Sequence, residues 1–487
     1  MTPQNVLYYG DNLDVLRQHV KVETVDLVYL DPPFKSNKNY NVLFEEHGKK
    51  AAAQIQAFDD TWTWDETASL SLWETINEIG GNVAQTMLAL EKLLPESDML
   101  AYLAMMAPRL VELRRVLKST GSIFLHCDPT ASHYLKILMD AVFGPKNFRN
   151  EIVWCYFGPG SPGIRQFLRK HDTIFWYSMG PTWTFNADAV RIPHAKKTQE
   201  NYKVGLVGSG FEGADHLIHA GGKIPEDWWP IAIAPRGKEY LGYPTQKPLA
   251  LLDRIIRAAS NDDDTVLDPF CGCGTTIDAA QRLKRRWVGI DITHLAIGLI
   301  KHRLQDTYGD KIATTYSVVG EPTDLAGAAQ LAKEDPWQFQ AWALGLVGAR
   351  TATSAKKGSD KGIDGRAYFR DEADGKAKQI ILSVKAGKTN SGHVDQLRGV
   401  VDKEGAAIGA LISFQVPTKP MRENAASAGH YVSPGWNQPY PRIQLLSVSD
   451  LLSKKTRLEY PHPTGATFKK PPKLKPDTPD QETLDLG

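Results

Sequence analysis

Val25-Asp26-Leu27-Val28-Tyr29-Leu30-Asp31-Pro32-Pro33-Phe34 is the stretch from which the fold can be read. Its first six residues form an apolar run of strand length, which reads as a buried parallel strand. The two prolines forbid the strand from continuing, so Asp31 falls at its carboxyl end. In open α/β sheets, ligands bind outside that edge. Pro32 and Pro33 lack N–H donors and hold their carbonyls in an extended geometry. A carboxylate, a rigid carbonyl and the ring of Phe34 are thus presented together, a set suited to a planar base bearing an amino group. Taken alone, the tetrapeptide fits an ordinary strand-stopping turn equally well.

Working outward, residues 5–9 read as a short strand ending in Gly10-Asp11-Asn12. Asp11 can accept from an adenine amino group or a ribose hydroxyl, or cap the helix that follows. Far downstream, Thr265-Val266-Leu267 leads into Asp268-Pro269-Phe270-Cys271-Gly272-Cys273-Gly274-Thr275-Thr276, a strand, a glycine turn and then a helix. Gly272 and Gly274 allow tight turning and close backbone approach, and the helix start offers free N–H groups. Residues 287–291 form the next strand, and its acid, Asp291, stands where dinucleotide-type sites hold ribose hydroxyls. Just before this unit, Thr245-Gln246-Lys247-Pro248 opens a helix with Leu249, Leu252, Ile255 and Ile256 on one face. Thr245 is its expected N-cap. Lys247 in the first turn opposes the helix dipole, and a ligand carboxylate would account for it.

The remaining segments frame these motifs. Residues 35–64 read as a mobile loop over the site, and residues 96–117 as a helix with Arg109, Arg114 and Arg115 on its outer face. Residues 121–128 read as a strand with His126 and Asp128 at its end, where they serve as structural groups or, as the alternative, touch a ligand. Two further strands, 152–156 and 173–177, flank a Gly/Pro/Arg-rich loop that can follow a phosphate backbone or serve as a solvated hairpin. Residues 179–240 lose periodicity and suit an inserted recognition module. At 487 residues the chain should form two or three domains. Its 57 Lys and Arg balance 56 Asp and Glu, so a nucleic-acid site must arise from local clustering. Four cysteines make neither a disulfide framework nor a zinc pattern, which fits a reducing cytoplasm. No leader or membrane-spanning stretch stands out, so a cytoplasmic protein is expected.

Asp31-Pro32-Pro33-Phe34 resembles the catalytic motif of the amino-methylating DNA methyltransferases, and residues 268–276 resemble their S-adenosyl-L-methionine motif. The catalytic motif comes first, Thr245 to Pro248 lies between, and the cofactor motif follows, which is the permuted order of the β class. The resemblance covers roughly residues 4–305. It implies an α/β, Rossmann-like S-adenosylmethionine-dependent methyltransferase fold acting on double-stranded DNA by base flipping. It further implies that Asp268, Phe270, Gly272 and Gly274 line the methionine part of the cofactor. Thr245 and Lys247 would hold its carboxylate end, Asp291 its ribose and Asp11 its adenine, while Asp31, Pro32, Pro33 and Phe34 grip the flipped base. An initial Asp is usual for adenine-N6 enzymes, whereas cytosine-N4 enzymes more often begin with Ser. Adenine is therefore the expected target and cytosine N4 the alternative.

The pattern changes after residue 304. Lys361-Gly362-Ile363-Asp364-Gly365, a strand over 380–384, Lys385, a helix near 394–401 and a strand over 407–414 make a second, small α/β unit. It resembles the PD-(D/E)xK restriction-endonuclease core, especially the Mrr-like enzymes. There, two carboxylates bind a divalent metal such as Mg2+ and the lysine orients water or stabilises the phosphorane. Here Ser383 stands where the second acid is expected and Gln340 where a Glu often appears, so the metal site is weakened unless Glu372 completes it. An active nuclease and a DNA-binding remnant are the two readings. The expected division is a methyltransferase domain over 1–320 with recognition region 179–240, a linker over 321–335, an endonuclease-like domain over 336–453 and a disordered tail over 454–487. A homodimer is a further candidate partner. So is a bacterial sliding clamp, because residues 481–487 loosely resemble its binding peptide without the terminal aromatic.

Overall fold

The computed structural model describes residues 5–33, 40–46, 49–58, 64–157, 165, 167–205, 218–234, 239–241, 243, 245–351, 362–371 and 377–461. Phe34, Glu372 and the segment 462–487 lie outside these residues, as do 158–164, 206–217 and 235–238.

A nine-stranded sheet organises the first two thirds of the chain. Its spatial order is Tyr316–Val319, Asn5–Tyr9, Arg286–Asp291, Thr265–Asp268, Val25–Leu30, Leu117–Cys127, His171–Ser178, Phe148–Cys155 and Trp228–Pro230. The first six are mutually parallel, and His171–Ser178 joins antiparallel to Leu117–Cys127. Val25–Leu30 therefore lies beside Thr265–Asp268, with Leu27 opposite Val266 and Val28 opposite Leu267. From this pair the chain winds outward both ways, which makes their carboxyl ends a topological switch point.

The continuous apolar run has a direct cause. Val28 and Leu30 enter the core on one face, with Leu100, Leu103 and Leu110 of the Asp98–Val116 helix. Leu27 and Tyr29 enter the core on the other face, with Leu252, Ile256, Ile277 and Ile297. A strand covered on both faces has no polar side to show. Asp26 is the exception, and its carboxylate accepts from Lys118 Nζ at 2.8 Å and from the Thr265 N–H at 2.9 Å. It thereby pins the switch-point strands together.

Three expectations need correction. Residues 40–58 contain an antiparallel hairpin, Tyr40–Glu46 with Lys49–Phe58, where a mobile loop was expected. The period-two alternation Gln54-Ile55-Gln56 is a strand signal within that stretch. The helix after Lys247 begins at Leu249 with Pro248 as N-cap, so Thr245 does not cap it. Proline disfavours helical geometry in the residue before it, which delays the helix past Lys247. Arg109 lies inward, as described below.

A five-stranded sheet follows, ordered Arg350–Thr351, Gly365–Phe369, Lys378–Lys385, Ile408–Ser413 and Ile443–Ser447. The first three strands are antiparallel and the last three parallel. Helix Pro336–Leu346 covers one face, while Ser391–Glu404 and Lys419–Ser427 cover the other. Among the described residues no helix is long and apolar enough to cross a membrane.

Candidate active site

Adjacent strands end in carboxylates along one edge of the large sheet. Across the sheet they run Asp11, Asp291, Asp268 and Asp31, although their order in sequence is Asp11, Asp31, Asp268 and Asp291. All four line one cleft of about 240 Å³, together with Pro32, Pro33, Thr245, Lys247, Phe270 and Gly272. Gly274 is not on its wall. It starts the Thr275–Arg282 helix in a left-handed conformation (φ +76°), and a Cβ there would meet Ile300 Cγ1 at 2.6 Å. Close packing of the helix, rather than ligand contact, accounts for this glycine.

Each acid is differently held. Asp11 takes the capping role expected of it, Oδ1 accepting from the Leu13 N–H of the Asn12–His19 helix at 2.8 Å, and it also borders the cleft. Its Oδ2 accepts from Arg109 Nη2 at 2.6 Å, and Arg109 Nε donates to Asn12 Oδ1 at 2.5 Å. Arg109 is thus a cleft residue, its side chain only 12% exposed. Asp268 accepts from the Phe270 N–H at 3.0 Å, and burial pushes its carboxyl up to about 7, with Asp31 and Asp291 adding repulsion. Asp291 accepts from Gly272 N–H at 2.9 Å and from Thr293, yet burial still lifts it to about 6. Asp31 Oδ2 accepts from Lys247 Nζ, so Lys247 meets a protein carboxylate in this structure.

Sequence reasoning missed several residues here. Tyr29, Tyr243, Asn12 and Arg109 all border the cleft. Behind Asp31, the fully buried His126 lies 3.6 Å from Asp31 Oδ1 and 3.2 Å from Asp172 Oδ2. His126 is expected at the end of the 121–128 strand as a structural or ligand-touching group, but nothing in its own segment points to Asp172.

Residues 25–302, more than half of the chain, match the family described as DNA methylase, whose members methylate N6 or N4 amino groups. The chain belongs to this N6/N4 DNA methylase family. The methylase is 25% identical over 357 residues to the type II methyltransferase M.EcaI of Enterobacter cloacae, covering 62% of this chain and 69% of that protein. It is 26% identical over 301 residues to the DNA adenine methyltransferase YhdJ of Escherichia coli (strain K12), covering 60% and 81%. It spans about half to two thirds of the length of several other curated relatives. Among solved structures, the cytosine-N4-specific PvuII DNA methyltransferase matches at 16% identity and a TM-score of 0.40, covering 64% of this chain and 93% of that one. Residues 337–453 match a second family, described as NACHT-associated inactive Restriction Endonuclease 1.

The methyl donor of the methylase is S-adenosylmethionine. The cleft suits such a group, because Asp268 and Asp291 are carboxylates whose pKa burial raises. A sulfonium and an ammonium are cations, and their arrival would offset that penalty.

The second sheet presents a different arrangement. Asp364 Oδ2 accepts from Val384 N–H at 2.6 Å, Ser383 Oγ at 3.0 Å and Lys385 Nζ at 3.4 Å, while Gln340 Nε2 donates to the Asp364 carbonyl at 3.1 Å. The expected trio is brought together, but around one carboxylate already engaged by three donors. Among the described residues no group of three or more His, Cys, Asp or Glu could hold a metal ion.

Proposed function

We propose that the protein methylates the exocyclic N6 of adenine in double-stranded DNA, using Asp31-Pro32-Pro33-Phe34 to grip a flipped base. The observation that carries this reading is the shared cleft of Asp31 and Asp268, joined by neighbouring strands from opposite ends of the methylase segment. In this reading Asp268, Phe270 and Gly272 border the methionine part of the cofactor, with Thr245 and Lys247 towards its carboxylate, Asp291 at the ribose and Asp11 at the adenine. S-adenosylmethionine, when bound, supplies an electrophilic methyl group on a sulfonium.

The chain's own residues supply orientation. The amino nitrogen of adenine is a poor nucleophile, because its lone pair is delocalised into the ring. Asp31 and the Pro32 carbonyl accept its two protons, which favours the pyramidal form and aims the lone pair towards the methyl group. The rate gain rests on that alignment. Lys247 releases or shares Asp31 as the base arrives. Asp at the head of the motif favours adenine.

Residues 1–320 act as the methylase domain, and 179–240 as its recognition region. Residues 336–453 form a non-cleaving domain, supported by the spent Asp364 and by a family description that includes the word inactive. Mass spectrometry of nucleosides from genomic DNA treated with the protein and S-adenosylmethionine tests the reading. N6-methyladenine is expected; N4-methylcytosine would overturn the choice of base, and no modified base would overturn the activity.

A further inference from the structure

Asp31 has a second set of neighbours on the side of His126, of which only Tyr29 borders the cleft. His126 Nδ1 lies 3.0 Å from Tyr29 Oη and 3.6 Å from Asp31 Oδ1, and its Nε2 lies 3.2 Å from Asp172 Oδ2. Tyr156 Oη donates to Asp172 Oδ1 at 3.2 Å, and the Trp154 ring meets the imidazole edge-on at 5.4 Å between centroids. These groups come from four adjacent strands and the residues after two of them, so the sheet itself fixes the chain carboxylate, imidazole, carboxylate. With Asp172 accepting the Nε2 proton, Nδ1 is left as an acceptor facing Tyr29 and Asp31. Burial pushes Asp172 up, but the hydrogen bond from His126, the charge of Lys247 and the hydrogen bond from Tyr156 act against it, and the carboxyl is held below the usual range.

We propose that His126, backed by Asp172, is a positioning residue that orients Asp31 and takes over the proton Asp31 receives from the methylated amino group. The inference rests on the reading of Asp31 as the base-gripping carboxylate. As the nitrogen lone pair bonds to the methyl carbon, the carbon–sulfur bond breaks and its electron pair stays on sulfur, which leaves as the thioether; one N–H bond then breaks and its electron pair returns to nitrogen. The proton passes to an Asp31 oxygen and then to His126 Nδ1, after the 3.6 Å gap closes to hydrogen-bond distance. The resulting imidazolium lies between the Asp31 and Asp172 carboxylates, Asp31 is restored to its ionised form, and the imidazolium releases a proton to solvent by way of the partly exposed Asp172 before the next turnover. Tyr29, Tyr156 and Lys247 are the other polar groups facing this chain.

The test is single-turnover methyl transfer to DNA by the full-length protein, followed across the mildly acidic to neutral range, for wild type, His126→Asn, Asp172→Asn and Asp31→Asn. His126→Asn should slow transfer by about 10²-fold with unchanged affinity for S-adenosylmethionine, and it should displace the acid limb of the pH profile. Asp172→Asn should shift the same limb with a smaller loss of rate. Wild-type rates and profiles in both variants, beside an inactive Asp31→Asn, would overturn the relay alone. An active Asp31→Asn would overturn the underlying reading of Asp31 instead. If His126→Asn fails to fold, Asp172→Asn, at a partly exposed site (17%), decides the matter.

Discussion

The two sheets place an acid at the same kind of position and treat it in opposite ways. In the nine-stranded sheet, four strand ends converge on a cleft, and two of their carboxyls are lifted to about 7 and about 6 by burial. In the five-stranded sheet, Asp364 stands beside Ser383 where a second acid would be needed, and its Oδ2 is bonded to three donors. Buried carboxylates whose pKa stays raised despite their hydrogen bonds are a cost to the fold that a cationic ligand relieves. A carboxylate oxygen shared by three neighbouring donors acts as a structural tie. The difference lies in what surrounds each acid: a cleft with three further carboxylates in one sheet, and a serine and a lysine in the other.

That comparison can be broken or sharpened by substitution. The largest effect belongs to Asp31→Ala, which should lower methyl transfer by at least about 10³-fold while leaving S-adenosylmethionine binding intact, as measured by single turnover and calorimetry. Asp268→Asn should weaken cofactor binding by about 1.5–3 kcal/mol, the range for a lost charge-assisted contact, in the same calorimetric titration.

Affinity should also follow pH. A cationic ligand takes the ionised carboxylates, so binding strengthens as pH rises through about 6 and about 7 and levels off above. The slope should approach roughly tenfold per pH unit where one proton is displaced. The sign for the ligand-free protein is the reverse. Folded Asp268 and Asp291 hold protons that the unfolded chain has released, so their contribution to stability falls as pH rises from the usual carboxylate range to about 7. Calorimetry and thermal melts in a pH series check both signs.

Gly274→Ala should cost about 1–3 kcal/mol, because alanine must adopt a positive φ and meet Ile300. A lowered melting temperature with little change in cofactor affinity of the surviving fold would separate packing from ligand contact. Asp364→Ala should change methyl transfer least of all. Its effect should be confined to stability, about 1–3 kcal/mol for freeing the Val384 N–H and its companions, read by thermal melting.

Much of this was legible where chemistry coincides with local pattern. An apolar run stopped by two prolines gave the Asp31 strand, and Asp268 to Thr276 gave a strand, turn and helix in order. What failed depended on partners distant in sequence. Periodicity grouped Arg109 with the outer face of its helix, but Arg109 looks onto Asp11 and Asn12, 98 and 97 residues away. Thr245 looked like a cap because the constraint of Pro248 on Lys247 was not applied. The pairing of His126 was not legible, since its partner Asp172 arrives by an antiparallel strand 46 residues later. Such pairings are fixed by strand order, which no single segment encodes.

The contrast between the two acids is tested most directly by transfer of a labelled methyl group from S-adenosylmethionine to genomic DNA with wild type, Asp31→Ala and Asp364→Ala side by side. Equal labelling by wild type and Asp364→Ala, with none by Asp31→Ala, is the predicted result. Labelling by Asp31→Ala, or its loss in a folded Asp364→Ala, would contradict it.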